Sequence, residues 1–193
     1  MNYESNQLFF IATVMWIITG VYWFIAAFNI KKAAQKEKIG FRLLHVFLWY
    51  IPGLITFFNI IPIKPLTNRL YPQDPMIEYA AFALTILSLS FMAWSRVTLG
   101  RNWSGRIAIK EDHELITSGP YKYVRHPMYT GFLFAFLWSA VLLGEVRGFV
   151  SFIAVIFGLM IKLPLEEKFI RENFGTAYEA YAQRVKKIIP FIY

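Results

Sequence analysis

GPYKYVRHPMYTG, residues 119–131, holds the transition on which the fold turns. It opens with a Gly-Pro turn, carries Lys122, Arg125 and His126, and then becomes apolar: from Pro127 to Gly144 no charged residue occurs. Proline confines the residue before it to extended geometry and suits the first turn of a helix, so His126 is expected just outside a helix that Pro127 begins. That helix is long enough to approach a bilayer crossing, which takes about 20 residues. A turn, two cations and an imidazole at the mouth of an apolar helix suggest a site at a membrane edge.

Working outward, four more apolar segments appear, giving spans at about residues 8–30, 43–61, 77–96, 127–144 and 148–164. The last is the weakest, with 14 uncharged residues from Gly148 to Ile161, and needs Lys162 to snorkel toward water. With 57% hydrophobic and only 17% charged residues among 193, the chain reads as an integral membrane protein. The first apolar run is too long for a secretory signal and is expected to be retained as a helix. Without cysteine, disulfides, thiolate metal sites and a cysteine nucleophile are excluded.

The net charge of +8 is unevenly placed. Seventeen of the 20 Lys and Arg residues follow span one, lie between spans three and four, or flank and follow span five. Only Lys64, Arg69 and Arg147 fall in the two other loops, so the positive-inside bias predicts five transmembrane helices with the N-terminus outside and the C-terminus cytosolic. Basic residues so placed imply lipid headgroups rather than nucleic acid as partners.

No internal repeat or linker divides the chain, so residues 1–193 are expected to form one all-α membrane-embedded domain. Residues 61–75 carry four prolines and are expected to cross between helices without helical structure, and Pro52-Gly53 predicts a kink. GEVRG at 144–148 predicts a tight hairpin. Asn102-Trp103-Ser104 matches a glycosylation sequon, but the charge bias puts it in the cytosol, where Trp103 would serve as an interfacial anchor. Too little cytosolic chain remains for a soluble catalytic domain, so any site must be shared with the membrane helices.

Two constellations face the same expected side. At the first, Arg125 and His126 precede the helix start. The amides of Met128, Tyr129 and Thr130, with the positive dipole end, form a receptor for an anion such as a carboxylate or phosphate. Thr117-Ser118-Gly119-Pro120 predicts a turn that folds HELI, 113–116, back toward this point, and Tyr121, Tyr123 and Tyr129 offer aromatic faces. The second is KLPLEEKFIRENFGTAYEAY, 162–181: Pro164 is expected to end or kink span five, with a new helix starting at Glu166 and Glu167. Phe174, Tyr178 and Tyr181 recur there at helical spacing, a stripe that more often signals packing. No P-loop, GxGxxG, serine elbow or metal-ligand spacing occurs, and three histidines, at 45, 113 and 126, do not suggest a metal.

In these residues the chain resembles the isoprenylcysteine carboxyl methyltransferase family, itself similar to phospholipid N-methyltransferases, as a short member of prokaryotic type. GRNWSG, HELITSGPYKYVRHPMYTG and EEKFIRENFGTAYEAY stand in family order, covering roughly Leu99 to Tyr181. The resemblance implies a small helical membrane enzyme that binds S-adenosyl-L-methionine in a pocket at the cytosolic face, built from residues 99–131 and 162–181, and releases S-adenosyl-L-homocysteine. It implies that Arg106, His113, Glu114, Leu115, Ile116 and Tyr121 line the cofactor, that His126, Pro127, Met128 and Tyr129 hold its methionine end, and that Glu166 and Glu167 supply the acidic side. No metal is implied.

The acceptor implied is lipidic and drawn from the bilayer, foremost an isoprenylcysteine-like carboxylate, with a phosphatidylethanolamine-type amine as the alternative. Lys162, where carboxyl methyltransferases place arginine, keeps the charge but not the bidentate fork, and with Arg125 could orient the acceptor. An amine acceptor would need a proton removed, with Glu166 or Glu167 as the base; a carboxylate would need none. A sterol-reductase-like enzyme and a membrane scaffold or transporter are the rival readings, and the near absence of ionisable residues at mid-membrane speaks against transport. The expected location is a cell membrane, the inner membrane in a prokaryote.

Overall fold

A computed structural model describes residues 3–26, 28, 33–36, 50–103, 108–110 and 114–190. The elements run α1 (Tyr3–Ala26), β1 (Ala33–Lys36), a helical run over residues 50–58 (α2), α3 (Lys64–Thr67), α4 (Pro75–Leu99), β2 (Ala108–Lys110), α5 (Pro127–Leu143) and α6 (Val146–Arg184). Three helical stretches, Gln7–Ala26, Pro75–Asn102 and Val146–Arg184, are long and apolar enough to cross a membrane, and α5 is a shorter apolar helix. One short strand pair joins the helices: β1 and β2 are antiparallel, tying the segment after α1 to the segment after α4.

Local chemistry sets the helix ends. Asp74 accepts from the amides of Met76 (2.8 Å) and Ile77 (3.3 Å) and Pro75 follows it, an N-cap and first-turn proline together. Helix α5 starts at Pro127 and closes on Gly144, whose φ of 68° is the left-handed geometry that glycine tolerates without a Cβ penalty.

Several expectations change. Pro164 does not end span five: α6 continues through it and breaks at Gly175, where φ is 49° and ψ −127°. A missing proline amide costs one intrahelical bond, whereas Gly175 leaves helical geometry altogether. Lys162 does not snorkel to an exposed position; it is 8% exposed, packed inside. The proline-rich stretch 61–75 contains one helical turn, α3, with Pro65 in its first turn.

Helix packing uses small residues and aromatics. A Cβ on Gly131 would stand 2.7 Å from Met92 Cβ and 2.8 Å from Ser88 O, so α5 meets α4 almost backbone to backbone. On the other side of α5, Phe136 joins Val155, Leu159, Leu163 and Ile188 in a buried cluster. Trp16 packs edge-on against Phe132 and Phe136 and donates from Nε1 to Ser139 Oγ at 3.0 Å, satisfying its one polar atom. Large apolar side chains such as Phe24 (68%) and Leu87 (64%) remain exposed around the bundle, the surface that lipid would cover.

The bundle has two distinct ends. At one, Arg69 donates to Leu143 O, Tyr71 to Val141 O, and Arg147 pairs with Glu145 while reaching Ile55 O and Thr56 O. At the other, Arg96 donates to Ala26 O (3.1 Å) and Gly100 O (2.8 Å) and lies over the Trp103 ring, and Tyr121 reaches Ser95 O. The candidate site stands at this second end.

Candidate functional site

His126 has φ −123° and ψ 59°, outside the helix that Pro127 begins, and its side chain does not cap that helix. Free of that task, the ring turns to α6: Nε2 lies 3.2 Å from Glu167 Oε1. Because the partner is a carboxylate, Nε2 carries the proton and donates. The same oxygen accepts from Arg125 Nε at 3.0 Å and Nη2 at 2.5 Å, and Glu167 Oε2 faces Lys187 Nζ at 3.5 Å. Arg125 spends its remaining nitrogen on the carbonyls of Ala182 (3.0 Å) and Val185.

Glu167 lies beyond the apolar half of α6, and three cationic or donor groups surround it. Burial alone would raise its pKa, but hydrogen bonds from His126 and Arg125 outweigh this and hold it at about 2, against an ordinary 4.5. Glu167 is therefore a fixed anion.

One turn away a second group forms. The Tyr129 hydroxyl donates to Glu166 Oε2 at 2.6 Å, its ring stacks on His126 with centroids 5.8 Å apart, and Lys162 Nζ lies over that ring at 5.4 Å. Lys162 and Glu166 are one helical turn apart, so both reach the same side of Tyr129. The two groups are thus joined through the His126–Tyr129 stack, and both bridge the start of α5 to α6.

Behind them, Tyr181 donates to Tyr121 O at 2.6 Å and packs edge-on against Tyr178. The Tyr178 hydroxyl is buried beside Arg125 and Glu167 and has no hydrogen bond among the described residues. Burial first, and then the nearby Glu167 charge, raises its pKa; burial and then Glu166 raise that of Tyr121.

Of the residues singled out in sequence, Arg125, His126, Tyr129, Lys162, Glu166 and Glu167 come together. Pro127 starts α5 and Met128 stands half-buried in its first turn. Tyr121 is buried behind the cluster, in the Gly119–Lys122 3-10 turn that the Thr117–Pro120 stretch anticipates. Glu114 is exposed and Leu115 and Ile116 half-buried. Arg106 and His113 lie outside the described residues, as does His45.

Arg125, expected to orient the acceptor, has its nitrogens on Glu167 and the carbonyls of Ala182 and Val185. The sequence reading missed Lys187 and residues 185–188, whose backbone pairs beside Val124–His126. Only the cations at 184, 186 and 187 drew attention there, and no spacing pattern marks a chain segment that works through its carbonyls.

The arrangement joins the two quoted motifs, and comparison with known proteins bears on the same residues. Residues 81–172 match the model of the isoprenylcysteine carboxyl methyltransferase (ICMT) family. The ICMT match runs from α4 into α6, so it takes in both halves of the cluster but not Tyr178, Tyr181 or Lys187. The probable protein-S-isoprenylcysteine O-methyltransferase of Oryza sativa subsp. indica is 36% identical over 119 residues, which are 60% of this chain and 62% of the rice protein. Methanethiol S-methyltransferase 1 of Bradyrhizobium diazoefficiens is 40% identical over 71 residues, 37% of this chain and 24% of that protein. The chain therefore spans less than two thirds of the length of the curated relatives it matches. The solved structure of the eukaryotic intramembrane Ras methyltransferase ICMT resembles it with a TM-score of 0.56 over 82% of this chain and 55% of that one, at 22% identity: a likeness of fold.

Proposed function

We propose that this chain is a multi-pass membrane enzyme that transfers a methyl group from S-adenosyl-L-methionine to a lipidic acceptor held in the bilayer. The acceptor in this reading is an isoprenylcysteine-like carboxylate, and S-adenosyl-L-homocysteine is the second product. The observation that carries it is the double bridge from the start of α5 to α6, His126–Glu167 and Tyr129–Glu166, within the stretch that matches the ICMT family. In this reading the chain crosses the membrane five times, N-terminus outside, and the end bearing the cluster faces the cytosol. The gathering of Arg96, Arg125, Lys162 and Lys187 at that end, opposite Arg69 and Arg147, supports it.

The residues fit the cofactor. The His126 side chain does not cap α5, so its first-turn amides suit the cofactor's carboxylate, and half-buried Glu166 suits its ammonium or ribose hydroxyls. The buried Tyr178 hydroxyl, unpaired among the described residues, adds a polar group beside the same cluster. When bound, S-adenosylmethionine supplies an electrophilic methyl group on a sulfonium sulfur.

Each side chain then has a part. His126 and Tyr129, locked by Glu167 and Glu166, hold the methionine end, while Arg125 and Lys187 hold Glu167. Lys162, against the Tyr129 ring, orients the acceptor carboxylate. A carboxylate is already ionised and needs no general base. Reaction of an anion with a cation disperses charge, so the apolar helices around the site favour it by excluding water. For an amine acceptor only Glu166 could take the proton, since Glu167 is too weak a base.

The test is methyl transfer by the purified protein in liposomes, with label on the cofactor's methyl group. Base-labile label on a prenylcysteine analogue is the expected result. Label on phosphatidylethanolamine instead would move the acceptor to an amine, label on methanethiol would move it to a thiol, and label on none of the three would remove the proposed acceptors.

A further inference from the structure

We propose that Thr130 and Lys187 are positioning residues of the cofactor site, fastening residues 185–188 beside His126 so that its ring is held at a fixed angle to Glu167. This rests on the methyltransferase reading above.

Most described hydroxyls in these helices return to the carbonyl four residues earlier, as Thr85, Ser88, Ser95 and Ser139 do at 2.7–2.9 Å. Thr130 has the same option, but His126 O is 3.2 Å away, and the shorter contact, 2.7 Å, is to Ile188 O. A hydroxyl has one proton, so geometry assigns it to Ile188. Thr130 is itself buried, and Ile188 is buried in the cluster of Phe136, Val155, Leu159 and Leu163, so this bond joins two fixed points.

Between those points the chain runs parallel to residues 124–126. Val124 pairs with Lys186, Arg125 N donates to Lys186 O at 2.7 Å, and His126 N donates to Lys187 O at 2.9 Å. These bonds fix the amide side of His126, whose φ and ψ lie outside the helix, while its carbonyl accepts the first bond of α5 from Thr130 N at 3.0 Å. Lys187 then turns its side chain to Glu167 Oε2, while Arg125 and His126 hold Oε1. Both carboxylate oxygens are engaged, which fixes the acceptor of the imidazole proton.

The experiment is calorimetric titration of the full chain in detergent with S-adenosylhomocysteine, alongside thermal unfolding. Thr130→Val is expected to weaken binding about tenfold, the size of one lost hydrogen bond, and Thr130→Ser to restore it to within about twofold. Lys187→Gln is expected to weaken it severalfold, with Lys187→Arg recovering. Wild-type affinity in Thr130→Val or Lys187→Gln, or serine as weak as valine, would overturn the proposal. Should Thr130→Val fail to fold, the Lys187 pair decides alone. A wild-type protein that binds no S-adenosylhomocysteine would instead bring down the methyltransferase reading and this inference with it.

Discussion

Arg125 and Glu167 stand 2.5 Å apart with side chains only 7% and 8% exposed, and they join the approach to α5 to the polar half of α6. Removing one member of such a pair leaves an uncompensated buried charge, which costs about 3–5 kcal/mol. Glu167→Gln is therefore expected to lower the unfolding temperature of the detergent-solubilised protein by several degrees or more. An unchanged transition would mean that the pair does not hold the two elements together.

The same carboxylate sets a pH dependence. Its folded pKa of about 2 lies below the ordinary 4.5, so its contribution is fully present above pH 4.5 and is lost as pH falls toward 2. The stability gap between wild type and Glu167→Gln should be constant from pH 8 to about pH 5 and narrow below 4.5. A gap that closed between pH 8 and 6 would contradict the assignment.

Tyr129→Phe keeps the ring that stacks on His126 but removes the hydroxyl that holds Glu166 at 2.6 Å. A hydrogen bond to a charged group contributes about 1.5–3 kcal/mol. The variant should fold and raise the KM for S-adenosylmethionine about tenfold or more, measured at saturating acceptor.

Two glycines separate packing from backbone conformation. At Gly131 a Cβ would meet Met92 and Ser88 backbone atoms at 2.8 Å, so Gly131→Ala forces α4 and α5 apart and should cost about 1–3 kcal/mol or more. At Gly175 a Cβ meets nothing within 4 Å, and only the backbone, φ 49° and ψ −127°, resists it, so Gly175→Ala should cost about 1–3 kcal/mol through strain alone. Chemical denaturation of both variants in one detergent checks both losses.

Lys162→Ala is expected to lower kcat/KM for a carboxylate acceptor about a hundredfold while leaving S-adenosylhomocysteine affinity within about twofold of wild type. Lys162→Arg should retain most activity, because charge is kept and a bidentate fork is added. Equal losses in cofactor and acceptor binding would place Lys162 on the cofactor side.

Much of this was legible in the sequence because hydropathy and proline geometry act locally. The apolar run after Arg125 became α5 starting at Pro127, and Pro127 left His126 outside the helix as its ring geometry requires. The meeting of RHP with the Glu166–Glu167 pair was also foreseeable, since both lay at the ends of apolar helices assigned to one face. What escaped was settled by long-range contacts. Pro164 reads as an end or a kink, yet a helix already packed through Val155, Leu159 and Leu163 continues through it, and the break falls at Gly175. Arg125 reads as a free cation until the fold brings Glu167 and the carbonyls of 182 and 185 around it. Residues 185–188 carry no motif because their contribution is backbone carbonyls, which every sequence has.

Calorimetric titration of the purified wild-type protein with S-adenosylhomocysteine, repeated for His126→Ala and Glu166→Ala, tests the central claim most directly. One-site binding by wild type, weakened at least tenfold in both variants, is the predicted result; no heat of binding to wild type, or full affinity in both variants, would contradict it.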